Sequence, residues 1–341
     1  MKAAVITRAG APEVLKVQEW PEPEPRSGEV RIRTRFAGIN FADIAARIGI
    51  YRDAPKIPFV AGYEVSGTVD RLGPGVLGLA VGDRVLAKTM FGGYAEKVCT
   101  AAGAVRRIPE GMSDEEAAAL PVNYVTAYHM LHYLTAVRPG DRVLIHAAAG
   151  GVGIAAIQMC RAAGAEIFGT ASASKHEFLK SIGVAHCIDY RTQDFLAEVG
   201  RLTQGLGVDL VLDALGGAAL AKSYEALGQG GRLFTFGFSR ATPGEKRALF
   251  TMVTEFLRMP RFQPLKLMND NRGVLGVNMN HIAARPDLLG REFDGLVNLF
   301  REGVIRPRVD RIFGLHEAPA AHRYLQDRLN IGKVLLEVAP M

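Results

Sequence analysis

Hydrophobic and polar residues follow two different patterns along the chain. In about the first hundred residues, short apolar runs are bounded by Gly, Pro or Asp, and these runs are KAAVI, EVRIRTRFAGI, EVSGTVDRLG, DRVLAK and AEKVCT. Runs of this length with turn residues at both ends predict strands. The proline-rich connection WPEPEPRSGE cannot form a central strand, because proline has no amide hydrogen. The pattern therefore predicts an irregular, mostly antiparallel β domain with few helices.

A different pattern begins near residue 121. The segment SDEEAAALPVNYVTAYHMLHYL predicts two helical pieces divided by a proline, and from Asp141 onward strands and helices alternate. The predicted strands are RVLIHA, EIFGT, HCID, VDLVLDAL and GRLFTFG, and the helices between them are GIAAIQMCRAAG, KHEFLKSIG, TQDFLAEVGRLT and AALAKSYEALG. Nearly continuous apolar strands separated by helices are typical of a doubly wound parallel sheet covered on both faces.

The last third of the chain departs from this alternation. Residues 239–272 predict a helical excursion, GVLGVNM a further strand, RPDLLGREFDGLVNLFREG and APAAHRYLQDRL two helices, and GKVLLEV a closing strand. The predicted class is α/β. We expect residues 1–121 to form the first part of a β-rich domain and 122–272 to form a Rossmann-type nucleotide domain. Residues 273–341 are expected to supply its last strand and then to return to the first domain.

Composition and charge narrow the class of protein. The 341 residues suggest two domains, and the net charge of +6 is scattered, without the basic block that nucleic-acid binding would favour. The three cysteines, Cys99, Cys160 and Cys187, include no C-x-x-C pair and predict reduced thiols in the cytosol. The first residues lack the long apolar region of a signal peptide, and no membrane span is predicted.

A glycine cluster follows the first strand of the alternating region. In RVLIHAAAGGVGIAAIQMC, Ala148 takes the first position of the dinucleotide motif G-x-G-x-x-G, and Gly150 and Gly153 take the other two. Gly150 would let the backbone approach a pyrophosphate, and Gly153 would let helix and strand pack closely. Gly151 adds freedom to the turn, and the helix from about Val152 would direct its amides at the phosphates. The alternative is a turn that only packs tightly.

The end of the next strand discriminates between two dinucleotides. NAD sites carry an acidic residue there, whereas this chain reads GTASASK. Ser172, Ser174 and the cation of Lys175 would instead suit a 2′-phosphate, which favours NADP(H). Tyr190, after the third strand, could also reach the adenosine phosphate. The alternative is that Lys175 begins a solvated helix face.

Taken together, these motifs resemble the zinc-independent quinone oxidoreductase branch of the medium-chain dehydrogenase/reductase superfamily. AGINFADIAARIGIY, PFVAGYEVSGTVDRLGPGV, GDRVLA, FGGYAEK, LPVNYVTAYHML and AAAGGVG occur in the expected order, and PLKLMNDNRGVLGVNM resembles the vesicle amine-transport-protein-like subgroup. The resemblance implies a GroES-like catalytic domain, a Rossmann domain, a homodimer and a cytoplasmic reductase. Its substrate would be a quinone or an α,β-unsaturated carbonyl, and its cofactor NADPH.

The zinc alcohol dehydrogenases of the same superfamily are the competing interpretation. Their catalytic metal needs a cysteine where this chain has Asn40 and a histidine where it has Tyr63, and no four-cysteine lobe for a structural zinc is present. His129 and His132 form an H-x-x-H without a third ligand at a recognisable spacing. No metal site is predicted.

The resemblance also assigns roles to single residues. Asn40 would hold the nicotinamide–ribose end of the cofactor, and the Tyr51 phenol would donate a hydrogen bond or a proton to the acceptor oxygen. Thr126 would lie beside the nicotinamide, although it could simply pack its helix. Tyr51 could merely fill a loop, with solvent supplying the proton. Asp43 is expected to order the loop after Asn40.

The remaining assignments concern later parts of the chain. Phe236 and Gly237 end the fifth strand of the nucleotide sheet and should border the cofactor, and Val277 and Asn278 should face the carboxamide. Arg328 falls where the family has a cofactor-contacting arginine. Lys333 is a second, weaker candidate for such a contact, and the alternative is that it only caps the closing strand.

A second functional hypothesis comes from another class of protein. In it the chain is an NADPH-bound binding protein with little turnover that acts in membrane trafficking or RNA contact, as some relatives do. Three interpretations are open for the apolar excursion at 239–272 under either hypothesis. It could enlarge the acceptor pocket, form a partner surface, or be an ordinary helical insert.

Overall fold

Strand pairing separates the chain into a mainly antiparallel part and a parallel part. The computed structural model describes residues 1–239 and 248–339, without the side chains of 248–252, 283 and 284. Two units are distinguished by their internal packing: Met1–Val125 together with Met279–Met341, and Thr126–Asn278. We call them the antiparallel unit and the nucleotide unit.

The elements are numbered in chain order. The strands are β1 (Lys2–Ile6), β2 (Leu15–Glu19), β3 (Glu29–Ile39), β4 (Phe59–Val60), β5 (Glu64–Leu72), β6 (Arg84–Lys88), β7 (Lys97–Ala101), β8 (Val105–Arg107), β9 (Arg142–Ile145), β10 (Glu166–Ala171), β11 (His186–Asp189), β12 (Val208–Asp213), β13 (Leu227–Thr235), β14 (Gly273–Gly276), β15 (Val309–Gly314) and β16 (Lys333–Glu337). The α-helices are α1 (Phe41–Ile48), α2 (Asp114–Ala118), α3 (Asn123–Tyr128), α4 (Gly151–Ala162), α5 (His176–Ser181), α6 (Phe195–Leu202), α7 (Ala219–Glu225), α8 (Ala248–Leu257), α9 (Pro264–Asp270), α10 (Pro286–Arg301) and α11 (Ala318–Gln326).

The antiparallel unit contains two sheets. The larger has the order β15-β16-β3-β5-β6-β8, with β7 also paired to β3, and the smaller has the order β2-β1-β4. Apart from the parallel pair β15–β16, all pairs are antiparallel, as the sequence predicted. The strands bury apolar side chains such as Ile32, Val65 and Val85.

Helix α1 lies in the segment that the sequence interpretation treated as a loop after Asn40. Asn40 precedes it in an extended conformation, Asp43 lies in its first turn, and Gly49 ends it in the left-handed conformation (φ 85°). Short polar residues at a helix start and glycine at its end are the usual signals, and here they enclose only eight residues.

The nucleotide unit contains one six-stranded sheet in the order β11-β10-β9-β12-β13-β14. Every pair in it is parallel, which confirms the predicted doubly wound α/β fold. Leu144, Phe168, Val211 and Leu233 are almost completely buried in its core. Because the strands are parallel, all their carboxyl ends meet at one edge of the sheet.

The predicted excursion at 239–272 is only partly described, since residues 240–247 lie outside the described ranges. Its described part contains α8 and α9. None of the helices in the described ranges combines the length and the apolar character that crossing a membrane requires.

Candidate functional site

The glycine cluster forms the turn between β9 and α4. Ala147 takes a left-handed conformation (φ 51°), and the Gly150 amide donates to the Ala147 carbonyl at 2.8 Å. A Cβ on Gly153 would lie 2.4 Å from the Ala148 carbonyl oxygen, whereas a Cβ on Gly150 would lie 3.2 Å from that of Ala147. Gly153 is therefore required for close packing of helix against strand, and Gly150 leaves the face of the turn open.

The start of α4 offers amide donors to a ligand. Its first intrahelical bond runs from the Ile154 amide to the Gly150 carbonyl, so the amides of Gly151, Val152 and Gly153 have no acceptor within the helix. No described side chain caps this end, and its first turn carries no acidic residue. Amides and a positive dipole end without a carboxylate suit a phosphate.

Hydroxyls and a cation follow the neighbouring strand β10. Ser172 precedes a short 3₁₀ turn, Ala173–Lys175, and its Oγ lies 3.3 Å from the Oγ of Ser174. Lys175 is half-buried at the end of this turn, and Tyr190 follows β11 with its ring partly exposed. We call residues 150–153, 172–175 and 190 the nucleotide edge, because they all follow parallel strands that end at one side of the sheet.

The other predicted contacts of this unit also follow its strands. The Phe236 amide donates to the Asp213 carbonyl at 3.0 Å, and a Cβ on Gly237 would lie 2.7 Å from the Ala214 carbonyl oxygen. Val277 and Asn278 come directly after β14 at the same side of the sheet. Thr126 is instead a buried residue of α3.

A buried ion pair lies in the antiparallel unit. Lys333 of β16 pairs with Glu64 of β5, and both side chains are inaccessible to solvent or nearly so. Lys333 Nζ also donates to Asn40 Oδ1 at 2.7 Å, while Asn40 Nδ2 and the Val122 amide donate to the Glu64 carboxylate at 2.8 and 2.7 Å. A Cβ on Gly38 would lie 2.6 Å from Glu64 Oε1, so glycine makes room for the pair. Lys333 therefore holds Asn40 and does not merely cap its strand.

Asp43 fixes the start of α1 from inside the unit. Its carboxylate accepts hydrogen bonds from the amides of Asn40 and Gly62, both at 2.9 Å. Complete burial raises the pKa of the Asp43 carboxyl to about 7, although the two amide bonds oppose the shift. The Tyr94 side chain also favours the ionised form of Asp43, and its hydroxyl lies 3.3 Å from His322 Nε2. We call Asn40, Asp43, Glu64 and Lys333 the buried polar network.

Tyr51 belongs to a second chain of contacts in this unit. Its hydroxyl accepts a hydrogen bond from Asn280 Nδ2 at 2.8 Å, and Lys88 Nζ donates to Asn280 Oδ1 at 3.0 Å. The Tyr51 ring meets the buried ring of Tyr63 edge-on, with centroids 6.0 Å apart. Burial lowers the pKa of the Lys88 ammonium to about 8, against the attraction of Glu64, and burial raises the pKa of Tyr51. This arrangement can supply a hydrogen-bond donor to a bound molecule.

Sequence reasoning missed Glu64, Lys88 and Asn280. Glu64 and Lys88 each end or begin a strand in otherwise apolar runs, and a charge in such a run is the signal that could have marked them. Asn280 lies in the short 3₁₀ segment Met279–Ala284 and carried no such signal. Arg328 follows α11 in a left-handed conformation (φ 58°), and only the family resemblance singled it out.

The two histidines of the H-x-x-H sequence lie in different surroundings. His129 is buried and stacks on Tyr133, whereas His132 is exposed and stacks on Tyr128. In the described residues no group of three or more His, Cys, Asp or Glu side chains is placed to hold a metal ion.

Two family models match the chain. One is described as "Alcohol dehydrogenase GroES-like domain" and covers residues 26–129, and the other as "Zinc-binding dehydrogenase" and covers residues 182–336. A curated relative, "Synaptic vesicle membrane protein VAT-1 homolog" of Danio rerio, is 40% identical over 342 residues, which is all of this chain and 70% of that protein.

Solved structures resemble the whole chain as well. A mycobacterial protein complexed with NADPH has a TM-score of 0.88 and 30% identity, covering 99% of this chain and 100% of its own. The Escherichia coli quinone oxidoreductase complexed with NADPH has a TM-score of 0.87 and 28% identity, with the same coverage of 99% and 100%. These likenesses extend over both units.

Proposed function

We propose, from the premise that this chain belongs to the medium-chain dehydrogenase/reductase superfamily, that it is an NADPH-dependent reductase of quinones or α,β-unsaturated carbonyl compounds. The observation that carries the proposal is the nucleotide edge. There an uncapped, glycine-rich helix start lies next to two hydroxyls and an ammonium group, where NAD enzymes have an acid.

The residues of the nucleotide edge fit NADPH. The amides of Gly151, Val152 and Gly153 would hold the pyrophosphate, and Ser172, Ser174 and Lys175 would hold the 2′-phosphate. Two similar structures are NADPH complexes, which supports this choice of cofactor. Tyr190, Phe236, Gly237, Val277, Asn278, Thr126 and Arg328 remain proposed cofactor contacts.

NADPH supplies a hydride when it is bound, and an electron-poor acceptor can take it without prior activation. The acceptor oxygen then gains negative charge, which needs a donor. We assign that task to the Tyr51 hydroxyl. Asn40 keeps one Nδ2 hydrogen beyond the one it gives to Glu64, and we assign this hydrogen to the nicotinamide end of the cofactor.

The donor groups also favour a reaction without zinc. Asn40 and Tyr63 offer an amide and a phenol where the zinc enzymes offer a thiolate and an imidazole, which are far better zinc ligands. Metal analysis of the purified protein should therefore find much less than one zinc ion per chain, and stoichiometric zinc would contradict this part of the proposal.

Turnover and cofactor choice test the proposal together. Purified protein should oxidise NADPH with members of a quinone and enone panel. Lys175→Ala should weaken NADPH binding, measured by calorimetry, about 10- to 100-fold and NADH binding less than about twofold, because a charge-assisted contact to the 2′-phosphate is lost. Lys180→Ala, an exposed lysine of α5, is the matched control. An equal loss for both dinucleotides would overturn the role of Lys175.

The names of the curated relatives favour a second candidate. The Danio rerio relative is called a synaptic vesicle membrane protein, and that name states no reaction. NADPH binding without turnover on any quinone or enone would favour a nucleotide-bound binding protein. A cytoplasmic location and a homodimer remain predictions from the sequence.

A further inference from the structure

Lys88 is a buried cation without a carboxylate partner. Its side chain is 4% exposed, and it forms no ion pair with any residue that the structure describes. Its hydrogen bond goes to Asn280 Oδ1, and its other neighbour within bonding range is the Met90 sulfur at 3.9 Å. Burying an ammonium group without an anion is unfavourable, and this is the cause of its lowered pKa. Among the described residues, the hydrogen bond that stabilises this ammonium group is the one to Asn280.

That contact decides which way the Asn280 amide faces. A lysine ammonium has only donors, so the amide oxygen must face Lys88 and the NH₂ group must face Tyr51. The Tyr51 oxygen therefore accepts from Asn280 at 2.8 Å, and its own O–H remains available for donation. Without the cation, the amide could reverse and accept the Tyr51 proton itself.

We propose that Lys88 and Asn280 are positioning residues that keep the Tyr51 hydroxyl a donor toward the reduced acceptor. This inference rests on the proposed function. When a hydride has reached the acceptor, the Tyr51 O–H bond breaks and a new O–H bond forms on the acceptor oxygen. The phenolate that remains is stabilised by the Asn280 N–H and takes a proton from water. Asn280 passes no proton, because its amide only orients and stabilises.

The other charged groups around Tyr51 oppose formation of a phenolate. Asp53 and Asp43 both raise the pKa of Tyr51. The Asp53 carboxylate is itself in contact with His281, with Nε2 and Oδ2 2.9 Å apart. The Asn280 bond lowers that pKa and is the larger of the two contributions that do so.

The carboxylate nearest to Lys88 in the sheet does not compete with Asn280 for its ammonium group. Glu64 is opposite Lys88 in the register of β5 and β6, but its carboxylate is taken by Lys333. The contact of Tyr63 with Tyr51 is the smaller of the two that lower the Tyr51 pKa. The Asn280 hydrogen bond is thus the larger of these two contacts, and Lys88 holds the amide that donates it.

Asn280→Asp separates a positioning role from a structural one. The new carboxylate would pair with Lys88, so the urea midpoint should stay equal or rise. The same carboxylate would accept the Tyr51 proton, so kcat for quinone or enone reduction should fall about 100-fold with an unchanged KM for NADPH. Lys56→Ala, at an exposed residue of the segment that contains Tyr51, should change neither the urea midpoint nor kcat. Full activity of Asn280→Asp would overturn the proposal.

Lys88→Met tests the orientation of the amide through pH. In the wild-type protein kcat should fall as pH rises through about 8, because a neutral amine can also accept and no longer fixes the amide. In Lys88→Met kcat should be about tenfold lower and should lack this alkaline fall. An alkaline limb that is identical in both proteins would contradict the assignment.

A measurement without cofactor keeps the two proposals distinguishable. With 3-fluorotyrosine incorporated, the ¹⁹F resonance of residue 51 is identified by its loss in Tyr51→Phe. Its pKa should rise by about one unit or more in Asn280→Asp and also rise in Lys88→Met. If neither variant moves it, the positioning role is wrong even when NADPH is oxidised. If it moves but no acceptor is reduced, the proposed function fails and the positioning of Tyr51 by Lys88 and Asn280 stands.

Discussion

The nucleotide edge and the buried polar network stabilise charge in opposite ways. At the nucleotide edge, the backbone amides of 151–153 and short polar side chains follow the ends of parallel strands. In the buried polar network, Glu64 and Lys333 neutralise each other inside an antiparallel sheet. The first arrangement is built to receive a charge from a ligand. The second is complete and is built to hold Asn40.

The difference is also one of distance along the chain. The residues of the glycine turn are neighbours in sequence, whereas Lys333 and Glu64 are 269 residues apart and Lys333 and Asn40 are 293 apart. A backbone site tolerates changes of side chain as long as the turn survives. A long-range network fails when one member is lost, because the others stay buried without partners.

Breaking the ion pair should have the largest effect on stability. Glu64→Ala leaves the Lys333 ammonium buried, with Asn40 as its remaining acceptor among the described residues. We expect a loss of about 3–5 kcal/mol in the free energy of unfolding, measured in urea. Lys333→Met should cost less, because Glu64 keeps two N–H donors, from Asn40 and Val122.

The double variant Glu64→Gln/Lys333→Met sharpens this prediction. It removes both charges while keeping the polar contact to Asn40, so it should recover much of the stability lost in Glu64→Ala. If the single and double variants were equally unstable, the network would owe its stability to packing rather than to charge pairing.

Gly153→Ala is the corresponding change at the nucleotide edge. The new methyl would lie 2.4 Å from the Ala148 carbonyl oxygen and 2.7 Å from that of Ala147, so helix and strand must separate, at a cost of about 1–3 kcal/mol. Gly200→Ala in α6, where nothing lies within 4 Å, is the control and should stabilise by about 0.5–1 kcal/mol. A Gly153→Ala protein as stable as the wild type would show that this glycine serves only the approach of a ligand.

The same contrast explains what the sequence could predict. The strands β9 to β14, the glycine turn and the missing acid after β10 were readable because each signal is local. Helix α1 was missed since it is only eight residues long and its anchoring residue, Asp43, bonds to Gly62, nineteen positions away. Asn280 was missed because its meaning comes from Lys88, 192 residues earlier. Pairs of this kind leave no periodicity in a single sequence.

The smallest expected effect concerns Asp43 and its dependence on pH. The folded pKa of about 7 lies above the ordinary value of 3.8, so between these values the folded protein holds a proton that the unfolded chain has lost. The stabilisation linked to this proton is complete below pH 3.8 and is lost as pH rises through 7. From pH 5 to 6 the free energy of unfolding should therefore fall by about 1 kcal/mol on account of Asp43.

His322 requires that this slope be measured as a difference between two proteins. Burial lowers the pKa of His322 well below 6.5, so its own contribution to stability is lost as pH falls and opposes that of Asp43. Asp43→Asn removes the Asp43 contribution and keeps that of His322. Between pH 5 and 6 the free energy of unfolding of the variant should therefore rise more, or fall less, than that of the wild type. The exposed Asp327→Asn should follow the wild type. Parallel curves for wild type and Asp43→Asn would mean that the two amide bonds keep Asp43 ionised, and that the network carries its charge at all these pH values.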